Sequence, residues 1–177
     1  IDTALEVITV NPKPMAGLST FADMCVDAAS VPLAGGTPAS GVYEIDWAPE
    51  TDINPGILGG GAHDVAYIYT YLKSCIDSII EVIIINDLPI VSLGAIADLC
   101  ENESSIIISD GLPADGVYEI DGTLGAQIDP VVLGIGTYTA LYIYEDANAC
   151  RDTATQIFSI NEVPLASSVV TAASCGN

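Results

Sequence analysis

Short runs in which hydrophobic and polar residues alternate, separated by Gly, Pro and Asp, extend along the whole chain. The run Gly41 to Trp47 is the clearest, because every second residue, Tyr43, Ile45 and Trp47, is large and apolar. A period of two residues is typical of a half-buried β-strand. Further strands are predicted at Leu18 to Phe21, Cys25 to Leu33, His63 to Tyr71 and Ser78 to Ile85. No run has a helical period, so the pattern predicts an all-β protein.

The same pattern returns after 75 residues. The run GVYEID at 41–46 recurs at 116–121, and Cys25, Cys100 and Cys175 share one register while Cys75 and Cys150 share another. Such self-similarity is the signature of a tandem array of folding units. About six or seven short strands in each repeat favour an immunoglobulin-like β-sandwich. We expect residues 1–11 to be the last strand of a preceding repeat, 12–86 and 87–161 to be whole repeats, and 162–177 to begin another.

The cysteines predict a staple for each small domain. Each whole repeat has two cysteines fifty residues apart, so we expect one disulfide per domain, Cys25 with Cys75 and Cys100 with Cys150. Closing such a loop contributes about 4 kcal/mol in the chain-entropy model. Cys175 would stay unpaired within these residues. Cysteines used in this way indicate an oxidising, extracellular setting.

The charge balance excludes one class of partner. The chain has 24 acidic and 3 basic residues and a net charge of −21. Nucleic-acid binding needs Lys and Arg in numbers, so it is not expected. Insertion of this segment into a membrane is not expected either, because the most apolar stretch, Ile79 to Ile85, is short and is interrupted by Glu81.

Neither an enzyme nor a cofactor is predicted. His63 is the one histidine and Tyr138 takes its place in the next repeat, so a catalytic imidazole is not expected. The glycines at 59–61 lack the Lys-Ser/Thr pair of a phosphate loop. Calcium is the one ion we consider. Asp87, Asp121 and Asp129 lie at strand ends or at a repeat junction, where oxygen ligands could converge.

A combination of motifs resembles a known family. The segment GGTPASG at 35–41 is followed by Asn54-Pro55, by the run GGGAH at 59–63, by Tyr67-x-Tyr69 and by Cys75. This order is similar to the immunoglobulin-like and PKD-like repeats of very large surface adhesins in Bacteroidota. The resemblance covers the whole chain, and the second repeat departs from the family's motif at Asp110, Leu112, Ile135 and Tyr138. It implies type IX secretion and service as a cell-surface stalk or adhesin, the gliding-motility adhesins included.

A second resemblance concerns modification. The triplets that begin at Asp2, Asp77 and Asp152 place Thr3, Ser78 and Thr153 at one register. They resemble the Asp-Ser/Thr motif used for O-glycosylation of exported proteins in Bacteroidota, which implies glycans on these three hydroxyls. The alternative is an unmodified hydroxyl at the start of an exposed last strand.

The sequence therefore predicts a structural repeat segment of an extracellular, cell-surface adhesin or stalk. It would extend a binding tip, and its partners would be neighbouring repeats, surface polysaccharide or other cells. One alternative is a filament in which Ile1 to Val10 completes the sandwich of another subunit by strand addition. Another is a carbohydrate-binding accessory module. Trp47 is the one tryptophan and Gly122 replaces it in the next repeat, so an aromatic platform is poorly supported.

Overall fold

The computed structural model describes residues 2–10, 12–71 and 74–164. Their contacts divide the chain into two units, one made of Ile1–Leu88 with Asp146–Cys150 and the other of Pro89–Glu145 with Arg151–Asn177. The division after Leu88 lies two residues from the repeat boundary expected after Asn86. In the described residues no helix is long and apolar enough to cross a membrane.

The first unit has two sheets. Its strands are β1 (Met24–Cys25), β2 (Val31–Pro32), β3 (Val42–Ile45), β4 (Ala48–Pro49), β5 (Asp52–Ile53), β6 (Gly61–Tyr71) and β7 (Cys75–Asn86). A five-stranded sheet has the order β1-β7-β6-β3-β4, and β2 pairs with β5 in a second sheet. The long hairpin of β6 and β7 forms the middle of the larger sheet. β1 pairs with β7 in parallel, and the other strand pairs of this unit are antiparallel.

The second unit repeats this arrangement. Its strands are β8 (Leu99–Cys100), β9 (Ile106–Ile107), β10 (Val117–Ile120), β11 (Thr123–Leu124), β12 (Gln127–Ile128), β13 (Gly136–Glu145) and β14 (Arg151–Asn161). The larger sheet has the order β11-β10-β13-β14-β8, and β12 pairs with β9. A short first strand parallel to the last strand, a central hairpin and a separate pair from the second and fifth strands make each unit an immunoglobulin-like β-sandwich. The all-β prediction is confirmed.

The two cores use equivalent positions. Six buried residues of the first unit each have a buried counterpart 75 residues later: Leu33 and Ile108, Ile45 and Ile120, Ile53 and Ile128, Val65 and Ala140, Ile83 and Phe158, Ile85 and Ile160. Fully burying an aliphatic or aromatic side chain contributes about 1.5–3 kcal/mol, so these positions account for much of the stability of each unit.

A buried tyrosine hydroxyl joins the sheet to a turn in each unit. The Tyr67 hydroxyl accepts a hydrogen bond from the Gly41 amide at 2.8 Å and donates one to the Pro38 carbonyl. Tyr142 forms the same pair of bonds with Gly116 and Pro113. Gly36 is required beside this ring, because an added Cβ would lie 2.3 Å from Tyr67 Cε2. The recurring glycines of the sequence motif therefore serve the packing of a tyrosine.

Several predicted elements differ from the observed ones. Leu18 to Phe21 forms no strand, and the run Cys25 to Leu33 contains a turn that separates β1 from β2. A one-turn helix that the sequence pattern did not predict, α1 (Pro55–Leu58), follows Asn54, and the second unit has α2 (Pro130–Leu133) at the same register. Residues 2–10 form no strand and are exposed, although their sequence aligns with β7. β7 is a strand because it pairs with β6, whereas residues 2–10 pair with no strand among the described residues.

Candidate functional site

The larger sheet of each unit has two distinguishable ends. In the first unit the two ends are distinguished by the segment from Lys13 to Cys25, which runs beside β7. The Lys13 ammonium lies 2.6 Å from the Asp77 carboxylate, near the start of β7. The Ala16 amide also donates to Asp77, at 2.9 Å. Twelve residues after Lys13, Cys25 pairs with Asn86 at the end of β7. We call the end of the sheet where β7 starts the upstream end of the unit, and the end where β7 finishes the downstream end. The segment from Lys13 to Cys25 runs from the upstream end to the downstream end.

The second unit has the same polarity. The Gln156 side chain donates to the Leu93 carbonyl, and the Ser159 amide donates to Asp98. Cys100 then pairs with Asn161, the last residue of β14. Cys150 directly precedes the first residue of β14. Each repeat therefore has one cysteine at its upstream end, Cys75 or Cys150, and one at its downstream end, Cys25 or Cys100.

This polarity corrects the predicted disulfides. Cys75 begins β7, whereas Cys25 pairs with Asn86 at the other end of that strand. Eleven residues of strand separate the two ends, about 36 Å at roughly 3.3 Å per residue. A disulfide requires Cα atoms within about 7 Å. The predicted Cys25–Cys75 pair is therefore wrong, and the predicted Cys100–Cys150 pair fails for the same reason along β14.

The observed disulfide joins Cys25 to Cys150, with a Cα–Cα distance of 5.6 Å and a sequence separation of 125 residues. Cys150 is fully buried. It ends the segment Asp146–Cys150, which connects β13 to β14 in sequence and belongs to the first unit. Among the described residues Cys75 and Cys100 carry free thiols, and Cys175 lies outside those residues.

The segment that carries Cys150 is held by one carboxylate. The Asp146 side chain accepts hydrogen bonds from the amides of Asn148 and Cys150, at 2.8 and 2.9 Å. The Asp146 amide in turn donates to the Cys150 carbonyl at 2.9 Å. These bonds fix a tight turn that presents the cysteine at its end. Sequence reasoning gave Asp146 no role, although Asp is a common turn residue because its side chain can accept a hydrogen bond from the backbone amide two residues on.

The three hydroxyls predicted to carry glycans are exposed. Ser78 lies on the outer face of the larger sheet, opposite Ile68 of β6. Thr153 has the same place in the second unit, opposite Ile143 of β13. Thr3 is also exposed, in the segment without a strand. The exposure of these hydroxyls makes them accessible to modification, and the modification itself stays a prediction.

The structure brings together two of the three aspartates considered for calcium, Asp121 and Asp129. The described residues contain no group of three or more His, Cys, Asp or Glu that could hold a metal ion. Asp121 and Asp129 line one groove of about 550 Å³, but Asp121 accepts from the Thr139 amide and Asp129 from the Val131 amide. Asp87 belongs to the first unit, where its carboxylate lies against Gly60. Calcium needs six or more oxygen ligands, and a calcium site at these aspartates stays a prediction.

A histidine–aspartate pair occurs in the first unit alone among the described residues. His63 Nδ1 lies 2.7 Å from the Asp46 carboxylate, and Nε2 lies 3.1 Å from the Gly59 carbonyl. The hydrogen bond with Asp46 raises the pKa of His63 above 6.5, and it lowers the pKa of Asp46 below 3.8. Tyr138 replaces the histidine in the second unit, where its hydroxyl donates to the Leu133 carbonyl. The exchange of a histidine for a tyrosine at equivalent places indicates a role in holding the α1 or α2 turn.

Trp47 has an unusual backbone for a bulky residue. It follows Asp46 in the two-residue turn between β3 and β4, and φ is 49° at Asp46 and 70° at Trp47. This is the left-handed region that hairpin turns fill with Asn-Gly or Asp-Gly, and the second unit has Asp121 and Gly122 there. The Trp47 side chain is 70% exposed. It is therefore an exposed aromatic residue on a hairpin turn.

No protein-family model and no curated protein matches this chain. Among solved structures it is similar to the SGBP-B protein of the Bacteroides ovatus mixed-linkage glucan utilization locus, solved with a mixed-linkage heptasaccharide. The identity is 16%, the TM-score is 0.30, and the match covers 80% of this chain and 43% of that chain. It is also similar to a Ca2+-stabilized adhesin that helps an Antarctic bacterium reach out and bind ice. Here the identity is 13%, the TM-score 0.43 and the coverage 88% and 51%.

A third similar structure is the N-terminal four immunoglobulin domains of Dscam1 isoform 9.44. The identity is 9%, the TM-score is 0.26, and the match covers 82% of this chain and 43% of that chain. This chain thus spans about half the length of these proteins, or less. The assignment of the fold rests on the strand order and pairing described above.

Proposed function

We propose that this chain is a structural repeat segment of an extracellular surface adhesin or stalk, which holds a binding tip away from the cell. The observation that carries the proposal is the disulfide between Cys25 and Cys150. It secures a segment of the second sequence repeat, Asp146–Cys150, in the unit built from the first repeat. A covalent bond of this kind between repeats limits how far the chain can lengthen under tension. This property suits a stalk that has to bear force.

The stability of such an array favours the same function. In repeat proteins the stability is approximately a sum of terms for each unit and for its neighbours. Each unit here has its own core, so the loss of one unit does not remove the core of the next. The net charge of −21 favours solubility and disfavours self-association at the surface of a cell. A structural role requires no catalytic residues.

The exposed hydroxyls support a further element of the proposal, O-glycosylation of Thr3, Ser78 and Thr153. Ser78 lies between Ile76 and Ile80 on the outer face of β7, and these isoleucines are 55% and 44% exposed. A glycan on Ser78 would cover this apolar strip. Mass spectrometry of peptides from native material tests the assignment, with Ser104 and Ser105 as exposed controls that should be unmodified. Unmodified peptides that span Ser78 and Thr153 would refute it.

Surface labelling tests the function itself. Antibodies raised against the folded chain should label intact cells of the native source, and protease treatment of intact cells should remove the label. Fab fragments of the same antibodies should reduce attachment of the cells to a surface, with Fab fragments against an internal protein as the control. Labelling that appears only after lysis would contradict an extracellular location.

A second candidate is a filament assembled by strand addition, and one observation favours it. The side chains of Leu5, Val7, Ile8 and Val10 are all at least 86% exposed, in a segment whose sequence aligns with β7 and β14. Such a segment could complete a sheet in another subunit. The mass of the native polypeptide distinguishes the two candidates. A stalk gives a mass of many repeats, whereas a filament subunit gives a mass near that of this chain, 18.3 kDa.

A further inference from the structure

The surroundings of Cys100 reproduce those of Cys25. Cys25 pairs with Asn86 and Cys100 with Asn161, in both cases in parallel with the last residue of the long strand. The next residue donates its amide to that asparagine's carbonyl, at 2.8 Å from Val26 and at 2.9 Å from Glu101. The cysteine carbonyl then accepts an amide three residues on, at 2.9 Å for Cys25 and 3.0 Å for Cys100. The two downstream ends therefore share one backbone conformation.

The surroundings of Cys75 likewise reproduce those of Cys150. Cys75 pairs with Tyr71, the last residue of β6, and Asp146 has the same relation to Cys150. The residues before the two cysteines, Ser74 and Ala149, both have a φ angle of 61°. Since a left-handed residue directly precedes each cysteine and the residue four positions earlier pairs with it, both upstream cysteines have equivalent backbone surroundings.

We infer that Cys75 and Cys100 each form a disulfide of the same kind as Cys25–Cys150, with a cysteine of a neighbouring 75-residue repeat. Cys100 takes the place that Cys25 has in that bond, and Cys75 takes the place of Cys150. The partner of Cys100 is the upstream cysteine of the repeat that follows its own. The partner of Cys75 is the downstream cysteine of the repeat before its own. The inference rests on the proposed function in one respect, that the chain belongs to an array, and it extends that function by assigning the covalent connections of the array.

The direction of each link follows from the polarity of a single unit. The downstream cysteine lies where β7 or β14 ends and the chain leaves toward the next repeat. The upstream cysteine lies at the start of that strand. Joining a downstream cysteine to the upstream cysteine of the following repeat therefore repeats one bond along the array. By the sequence register, a covalent path along such an array alternates between a disulfide that bypasses 125 residues and a stretch of 25 residues of chain, such as the stretch from Cys150 to Cys175.

The bond forms by thiol–disulfide exchange with a low-molecular-weight disulfide such as glutathione disulfide. The thiolate of Cys100 attacks that disulfide and forms a mixed disulfide, which releases one thiol of the oxidant. The partner thiolate then attacks the cysteine sulfur of the mixed disulfide and releases the second thiol. Two protein thiols lose two protons and two electrons, and one oxidant disulfide is reduced to two thiols. Both Cys75 and Cys100 are partly exposed, which gives the oxidant access.

The test is a longer chain in which residues 12–161 are duplicated in register within the full sequence, with Cys175→Ser to simplify the count. It has eight cysteines, Cys25, Cys75, Cys100 and Cys150 in each copy. The protein is refolded with reduced and oxidised glutathione, its free thiols are alkylated, and peptides are mapped without reduction. We expect three links and two free thiols. The diagnostic link joins Cys100 of the first copy to Cys75 of the second copy.

A matched variant and an internal standard make the outcome decisive. Cys100→Ser in the first copy should remove the diagnostic link and raise the free thiols from two to three of seven, with the Cys25–Cys150 links intact. Those Cys25–Cys150 links report that the protein has folded in each sample. In their presence, a free Cys100 in the first copy, or Cys100 bonded to any other cysteine, overturns the inference. Because this experiment makes no use of cells, its failure leaves the surface labelling to decide the proposed function separately.

Discussion

Mechanical unfolding of the single chain should reveal the Cys25–Cys150 bond as missing length. The bond bypasses 125 residues, so a chain pulled from its two termini extends through the remaining 52 of its 177 residues (177 − 125 = 52). At roughly 3.3–3.6 Å per residue the oxidised chain reaches about 180 Å and the reduced chain about 610 Å. The expected gain on reduction is therefore about 430 Å.

Single-molecule force spectroscopy with and without a reducing agent measures this gain directly. Cys25→Ser should give the full length without any reducing agent, whereas Cys75→Ser should keep the oxidised length, because that thiol is free. Bonds within each repeat would hide two segments of fifty residues, about 345 Å. A gain near that smaller value, or a length unaffected by Cys25→Ser, would refute the connectivity. At equilibrium, closing a loop of this size contributes about 5 kcal/mol in the chain-entropy model.

Three substitutions, the first with a matched control substitution, test the account of the first unit by thermal unfolding. Gly36→Ala should destabilise it by about 1–3 kcal/mol through overpacking against the Tyr67 ring, whereas Gly56→Ala, whose added Cβ would lie 3.6 Å from its nearest neighbour, should be nearly neutral; equal effects would contradict the packing argument. His63 has a raised pKa, so its stabilising contribution is present below pH 6.5 and is lost as the pH rises through the raised value. The unfolding temperature should therefore fall between pH 5.5 and 8, and His63→Tyr should abolish this fall. The same fall in the variant would show that the ion pair with Asp46 does not stabilise the unit. Trp47→Gly should stabilise the hairpin by about 1 kcal/mol because glycine favours a positive φ, and a loss of stability would show that the indole packs against the protein.

The repeat register and the core were readable from the sequence for a physical reason. Burial on one face of a strand imposes a period of two, and identical folding units impose the same period at the same register. Ile45 and Ile120 therefore lie at alternating apolar positions of the sequence, and both are buried in the structure. The exposure of Ser78 also follows from alternation along β7. The short helices were missed because four residues show no helical period, although a proline after Asn54 or Asp129 is a helix-start signal.

The disulfide pairing could not be obtained from spacing. Two cysteines fifty residues apart suggest a loop closed within one domain, and nothing in that spacing says which end of the sandwich each occupies. The decisive information is the course of the first segment, which contacts Asp77 at one end of β7 and reaches Asn86 at the other. The tyrosine hydroxyls were missed for a similar reason. Tyr67 bonds to Gly41 across 26 residues, a contact that no local pattern contains.

Peptide mapping of the native polypeptide, isolated with its thiols blocked and digested without reduction, tests the central claim most directly. The account predicts disulfides that join the downstream cysteine of each repeat to the upstream cysteine of the following repeat, with the Cys25–Cys150 peptide pair, 125 residues apart, as the reference. Disulfides between cysteines fifty residues apart, Cys25 with Cys75 or Cys100 with Cys150, would contradict it.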